Sequence, residues 1–120
     1  AVLALGNIGK TEAVESLFLT LKKGMPKEVV RKALISICNG VENQNQTAID
    51  LVIKSLKIST WESRVVSAEV LGEVGGEKAV NALVEALKDN NEDVRESSIL
   101  SLGKIGGERV VEHLIEALND

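Results

Sequence analysis

The sequence predicts an all-α protein in which antiparallel helix pairs stack into an α-α superhelix of about three and a half repeats. Apolar residues recur at three- and four-residue spacing, and no stretch shows the sustained alternation that indicates β-strands. One pattern also returns at steps of 33, 33 and 31 residues, which places Leu5, Cys38, Leu71 and Leu102 in equivalent positions. A two-helix unit of about 31 residues cannot bury its own apolar face, so the units are expected to stack.

Each unit is predicted to contain a first helix, called helix A, and a second, called helix B. In the clearest copies, apolar residues mark a helix A at Val94, Ile99, Leu102 and Ile105 and a helix B at Val80, Leu83, Val84 and Leu87. The expected order is half of a helix A, a helix B, and then three further A and B pairs. Residues 1–120 are interpreted as a single domain, and the uncapped start favours a fragment of a longer array.

The hexapeptides LGEVGG (71–76) and LGKIGG (102–107) are predicted to close A helices. Their paired glycines follow the last periodic residue, where a left-handed residue ends a helix at little steric cost. Gly72 and Gly103 lie inside helix A, where glycine costs about 1 kcal/mol against alanine, and this is tolerable where another helix approaches closely. Residues suited to helix starts are Thr11, Pro26, Asn45, Asn90, and Ser59 with Glu62.

Residues 4–11, ALGNIGKT, match a relaxed phosphate-binding loop in which alanine replaces the first glycine. Lys10 and Thr11 would then contact phosphates and magnesium, but this chemistry requires a preceding strand and inward-turned amides. Because the segment aligns with LGEVGG and LGKIGG, a helix end is favoured, with Thr11 as an ordinary cap. No nucleotide or other cofactor is predicted.

The repeated segments resemble a known family. The segment LGEVGGEKAVNALVEALKD, followed by NNEDVRESSILSLGKIGGERVVEHLIEALND, closely resembles the HEAT-like repeats of the phycobilisome (PBS) lyase type. The likeness is strong over residues 59–120 and weaker upstream, where Cys38 and Asn39 replace the family's Leu-Gly. The resemblance implies a right-handed superhelix with B helices lining its concave side. It also brings in a family that includes lyase subunits which attach or remove bilin chromophores on phycobiliproteins.

Composition narrows the possible functions. An apolar content of 44% with a net charge of −4 fits a soluble globular protein. No apolar run approaches the roughly 18 to 20 residues that span a bilayer, and no signal peptide is evident. One cysteine suits a reducing compartment, so a cytoplasmic location is expected. With 18 acidic residues against 14 basic ones and a single tryptophan, a nucleic-acid partner is not predicted.

Several single residues have both a functional and a structural interpretation. His113 and Glu116 share a helix face, but one turn supplies too few ligands for a metal site, and a solvent-facing histidine is favoured. Cys38 takes the place of Leu71, which predicts a buried and inert thiol. Trp61 is either a packing residue over the neighbouring loop or an exposed binding anchor.

Arginines recur in equivalent positions at Arg31, Arg64 and Arg95. A stacked row of guanidinium groups could attract phosphate. The acidic neighbours Glu28, Glu62, Glu92 and Asp93 favour ion pairs along the turns instead.

A variable row lies beside the constant apolar stripe of the B helices. The stripe repeats at Val14, Ile49, Val80 and Val111, and again at Leu21, Leu56, Leu87 and Leu118. The row contains Glu15, Asp50, Asn81 and Glu112, and four residues later Leu19, Lys54, Glu85 and Glu116. An ordinary solvated face is one interpretation, but a surface for an extended or convex protein partner is favoured, because open solenoids commonly bind in this way. The mostly acidic row suggests a partner with basic groups, with Lys54 and Leu19 as local exceptions.

The favoured function is therefore a noncatalytic protein-protein interaction scaffold, without a nucleic-acid or membrane partner. The exposed repeat ends are also expected to allow oligomerisation. The alternative is a subunit or relative of a bilin lyase, for which no catalytic residue can be assigned. Far-red absorbance from a bound tetrapyrrole would favour the lyase, whereas a colourless protein that captures a polypeptide would favour the scaffold.

Overall fold

A computed structural model of the chain describes residues 2–39, 46–58 and 60–119. This part of the chain is helical apart from short turns, and it contains no β-strand. Its helices are α1 (Val2–Lys22), α2 (Lys27–Asn39), α3 (Gln46–Ile58), α4 (Trp61–Val74), α5 (Glu77–Ala86), α6 (Glu92–Ile105) and α7 (Glu108–Asn119). Over these ranges, none of the helices combines the length and the apolar character needed to cross a membrane.

The helices form two layers that pack on each other. Helices α2, α4 and α6 are the A helices, and α1, α3, α5 and α7 form the B layer. Within the A layer α4 contacts both α2 and α6, and within the B layer α3 contacts α1 and α5, while α7 packs on α5. The layers meet where α4 packs on α3 and α6 packs on α5. The predicted all-α stack of helix pairs is confirmed.

Paired glycines end two of the A helices. The φ angles of Gly75 and Gly76 are 73° and 92°, and those of Gly106 and Gly107 are 63° and 93°. These angles lie in the left-handed region, which strains a residue that carries a side chain. The N–H of Gly75 donates to the carbonyl of Leu71 at 2.9 Å, so a carbonyl at the helix end is satisfied. The glycines are helix stops, as predicted.

The first copy of this motif does not end a helix. Helix α1 runs unbroken from Val2–Lys22 and passes through Gly9, Lys10 and Thr11. Lys10 stands where Gly76 stands in the later motif, and a lysine does not adopt a positive φ without strain. The predicted break between a half helix A and the first helix B is therefore wrong, and Thr11 is not a cap. Because residues 4–11 are helical, they also lack the geometry of a phosphate-binding loop.

Two caps lie one residue away from their predicted positions. The hydroxyl of Thr60 caps α4 by accepting the N–H of Ser63 at 3.4 Å. The side chain of Asn91, rather than Asn90, caps α6 and accepts the N–H of Asp93 at 2.8 Å. Pro26 directly precedes α2. The other predicted cap residues, Ser59 and Asn45, lie outside the described residues.

The core repeats along the stack at equivalent positions. Cys38, Leu71 and Leu102 of the A helices are each at most 1% exposed. Val14, Ile49 and Val80 of the B helices are also buried, as are Leu21 and Leu56, while Leu87 is half-buried. Leu118 is a predicted core residue whose side chain lies outside the described part.

Ile99 and Val111 were predicted to lie in the core, but this is wrong, because they are 59% and 55% exposed. The equivalent residues one unit earlier, Ala68 and Val80, are buried. Those positions are covered because α6 packs on α4 and α7 packs on α5. No described helix packs on the corresponding side of α6 and α7, so Ile99 and Val111 face outward.

Helices α4 and α6 approach each other too closely for a side chain at Gly72. A Cβ atom there would lie 2.6 Å from the Cβ of Ser101 and 2.9 Å from its Cα. The Ser101 hydroxyl is itself buried and donates to the carbonyl of Ala68 at 2.8 Å. Gly103, the equivalent glycine in α6, has no atom within 4 Å of such a Cβ. The close approach suggested by the internal glycines thus occurs at Gly72 and not at Gly103.

Candidate functional site

The predicted row lies on the outer surface of the B layer. Each of the B helices contributes two of its residues, and all eight are exposed: Glu15, Leu19, Asp50, Lys54, Asn81, Glu85, Glu112 and Glu116. In α1, α3 and α5 the adjacent stripe residues Val14, Ile49 and Val80 are buried. The separation of a variable exposed row from a constant core is therefore correct for these helices, and the role of the row in binding stays a prediction.

Two ion pairs cross this surface between α3 and α5. The Nζ of Lys78 lies 3.3 Å from Oδ1 of Asp50, and the Nζ of Lys57 lies 3.3 Å from Oε2 of Glu85. All four side chains are more than half exposed, so the pairs contribute little to stability. They do offset the charge of two acidic residues in the row. The middle of the row is consequently less acidic than its sequence indicates.

An open groove of about 250 Å³ separates α1 from α3 at one end of the row. Phe18, Leu19 and Leu51 give it an apolar lining, and Leu19 is 53% exposed. Three members of the predicted row line this groove, namely Glu15, Leu19 and Lys54. The groove is the place where the row combines a concave shape with accessible apolar surface.

Charges are distributed unevenly around this groove. Lys22 and Lys54 line it together with a single acidic residue, Glu15. Glu15 and Lys22 are two turns apart on α1, a separation of about 10 Å along the helix axis. Ser55 and Ser63 are buried and add polar groups to the wall. Along α1, the lining of the groove therefore changes from an acidic side chain to a basic one.

Sequence reasoning did not identify Phe18, Lys22 or Leu51 as members of the site. Phe18 and Leu51 are apolar residues of α1 and α3 that were not assigned to the stripe, and both are only half-buried. The available signal was Lys22, which follows the apolar run LFLTL directly and is therefore close to Leu19.

The three recurring arginines, Arg31, Arg64 and Arg95, each bind an acceptor within the chain. Arg64 binds Asp89 through two contacts, Nε to Oδ2 at 2.9 Å and Nη2 to Oδ1 at 3.0 Å, and both side chains are largely buried. Arg95 donates to the main-chain carbonyl of Asp89 at 2.7 Å. Arg31 pairs with Glu28 at 2.9 Å. Pairing with a carboxylate is confirmed for Arg31 and Arg64, although the partner of Arg64 is Asp89 and not one of the predicted acidic neighbours.

The cysteine behaves as predicted from its position. Cys38 is a free thiol with 0% exposure in α2. Burial raises the pKa of this thiol from 9.0 to about 11, because the thiolate would lose its hydration. A buried and protonated thiol is a poor nucleophile.

The raised pKa of Cys38 predicts a loss of stability at alkaline pH. The protonated thiol is favoured in the folded state, so its contribution is complete below pH 9 and is lost as the pH rises towards 11. By pH 10 we expect this group to lower the free energy of unfolding by about 1 kcal/mol. Urea denaturation of the wild type and Cys38→Ala from pH 7 to pH 10.5 isolates the effect, since other groups titrate in both. Parallel pH profiles for the two proteins would contradict the prediction.

The side chains of His113 and Trp61 are each partly covered. His113 is half-buried in α7 rather than solvent-facing. Across the described ranges, no group of three or more histidine, cysteine, aspartate or glutamate side chains could hold a metal ion. Trp61 is 39% exposed, and the Nζ of Lys27 lies 5.0 Å from the centre of its ring. The ring is thus partly covered, and a role as a binding anchor stays a prediction.

Together, the layered helix pairs and the exposed row define an open helical-repeat protein. The family model for HEAT repeats matches residues 49–120, which is more than half of the sequence. The chain belongs to the HEAT-repeat family. Its assignment to the phycobilisome lyase type within that family stays a prediction.

One solved structure shows the same fold. It is a crystal structure of an engineered protein from the Northeast Structural Genomics Consortium, with a TM-score of 0.50 and 20% sequence identity. The match covers 87% of this chain and 50% of the other, so the chain spans about half the length of that engineered protein. At this identity the likeness concerns the fold alone. No curated protein matches the sequence.

Proposed function

We propose that this chain is a noncatalytic protein-recognition module that binds its partner with the exposed row of the B helices. HEAT repeats generally mediate protein-protein interactions. The observation that carries the proposal is the placement of eight variable side chains on the surface of one helix layer, beside a stripe that stays apolar. A surface whose residues vary while its support is constant suits recognition of an extended partner.

The partner is expected to meet different chemistry along the row. The α1 and α3 end offers the apolar groove, and the middle is crossed by the Asp50 and Glu85 ion pairs. At the other end Glu112 and Glu116 are exposed on α7. Basic groups of a partner would bind best at this α7 end.

The noncatalytic part of the proposal rests on the state of the reactive side chains. The thiol of Cys38 is buried and its pKa is raised. The imidazole of His113 lies on α7, whereas Cys38 lies on α2. The proposal includes a cytoplasmic location, which a free thiol fits.

The proposal is tested by locating the surface that unbiased binders use. Peptides selected from a random display library against the folded chain would be titrated into isotope-labelled protein. We expect chemical-shift changes on α1, α3, α5 and α7 around the row. Changes centred instead on α2 and α6, or failure of the library to yield any binder, would overturn the proposal.

Two further parts of the proposal have direct measurements. A recognition module without bilin chemistry is expected to purify colourless, and far-red absorbance of a bound tetrapyrrole would support the lyase alternative instead.

The exposed apolar side chains Ile99, Val111 and Ile115 are expected to allow weak self-association. Light scattering over a range of protein concentrations measures that association, and Ile115→Glu should reduce it.

A further inference from the structure

We propose that the groove between α1 and α3 binds a peptide segment in which a large apolar side chain is followed by carboxylate residues. This inference rests on the proposed function and assigns a ligand chemistry to one part of the row. It differs from the basic partner that the overall charge of the row suggests.

The size and lining of the groove point to an apolar side chain as its occupant. Sites for drug-sized ligands occupy about 300 to 1,000 Å³, and this groove is smaller, at about 250 Å³. It therefore suits one or two side chains of a longer chain. Phe18, Leu19 and Leu51 present apolar surface, and more than half of Leu19 remains accessible. Covering this surface would favour binding through the hydrophobic effect.

The lysines at the groove determine the charge of that occupant. Within the described residues, neither Lys22 nor Lys54 forms an ion pair, whereas Lys57 and Lys78 on the adjacent surface each hold a carboxylate. Two lysines against Glu15 make the groove locally basic on a chain of net charge −4. Peptide carboxylates near these lysines would be attracted, and lysine or arginine side chains would be repelled.

A set of three peptides tests the inference. Each is an eight-residue peptide with blocked ends and a central Leu-Phe pair, followed by three glutamates, three serines or three lysines. Isothermal titration calorimetry with the folded chain measures the three affinities. We expect the glutamate peptide to bind about tenfold more tightly than the serine peptide, and the lysine peptide to bind more weakly than both. Chemical-shift mapping with the labelled chain should place the glutamate peptide between α1 and α3.

Variants of exposed residues separate the two parts of the recognition. Lys54→Glu should weaken the glutamate peptide about tenfold and strengthen the lysine peptide. Lys32→Glu makes the same change in net charge on α2, is also exposed, and should leave both affinities within about twofold. Leu19→Ala should weaken all three peptides to a similar degree, because it removes apolar contact without altering charge.

Several outcomes would overturn the inference. These are equal or tighter binding of the lysine peptide, no binding of the glutamate peptide at about 1 mM, and equal effects of Lys54→Glu and Lys32→Glu. If the chain self-associates and Leu19→Glu abolishes this, a second copy of the chain occupies the groove. That result would also reject the inference. If library-selected binders still map to the B layer in any of these cases, the proposed function stands and only the ligand chemistry is wrong.

Discussion

Replacing Leu83 with alanine is expected to lower the free energy of unfolding by about 2 to 5 kcal/mol. Leu83 lies in α5 with 0% exposure, within the continuous core of the stack. Truncation would remove buried methyl groups and leave a cavity. Helices α3, α4, α6 and α7 all pack on α5, and because their side chains are held in place, they cannot close that cavity fully. Urea denaturation at neutral pH, followed by circular dichroism, measures the loss.

Glu85→Ala is the matched control on the same helix. Glu85 belongs to the exposed row, and its partner Lys57 is 55% exposed. An exposed ion pair of this kind contributes about 0 to 1 kcal/mol, so the free energy of unfolding should fall by less than about 1 kcal/mol. Equal losses for Leu83→Ala and Glu85→Ala would mean that the core and partner faces of α5 have been exchanged.

The second large effect is expected at Gly72. Alanine there would place its methyl group 2.6 Å from the Cβ of Ser101 and 2.9 Å from the α6 main chain. Main-chain atoms cannot rotate out of the way, so α4 and α6 would have to separate. We expect a net loss of about 1 to 3 kcal/mol, even though alanine favours the helix more than glycine does.

Gly103→Ala should have the opposite sign. Gly103 occupies the equivalent position of α6, is exposed, and has no atom within 4 Å of the place that an alanine methyl group would take. The substitution should therefore raise the free energy of unfolding by up to about 1 kcal/mol through helix propensity alone. Thermal melts of the two variants beside the wild type would show the contrast, and a shift of both in the same direction would contradict the described helix crossing.

Local patterns were sufficient to predict much of this molecule. Helical periodicity depends on spacing within one segment, so the stripe at Val14, Ile49 and Val80 and the exposed row beside it could be located without coordinates. The same alignment suggested a break at Lys10, but α1 continues through this residue, which stands where the later motifs have a glycine. The similarity of LGNIGK to LGEVGG and LGKIGG therefore did not mean that this first copy ends a helix.

The remaining features depend on contacts that no single segment specifies. Ile99 matches the core pattern, but its burial would require a further helix at its side. The groove exists because α1 and α3 leave Phe18 and Leu51 only partly covered, and its charge depends on which lysines find partners across the B layer. The structural role of Asp89 depends on two other helices, because Arg64 of α4 and Arg95 of α6 both bind it.

The open space at Gly103 has a consequence for protein engineering. One unit earlier, Ser101 of α6 packs directly against Gly72 of α4, so the equivalent glycine allows two successive A helices to approach closely. If a copy of the last unit were fused in frame, its helix A could pack against Gly103 without a steric clash. The added helices would also cover Ile99 and Val111, which face outward. We therefore expect the repeat array to be extendable by duplicated units. Each added unit would contribute two further exposed row residues that can be mutated to change binding.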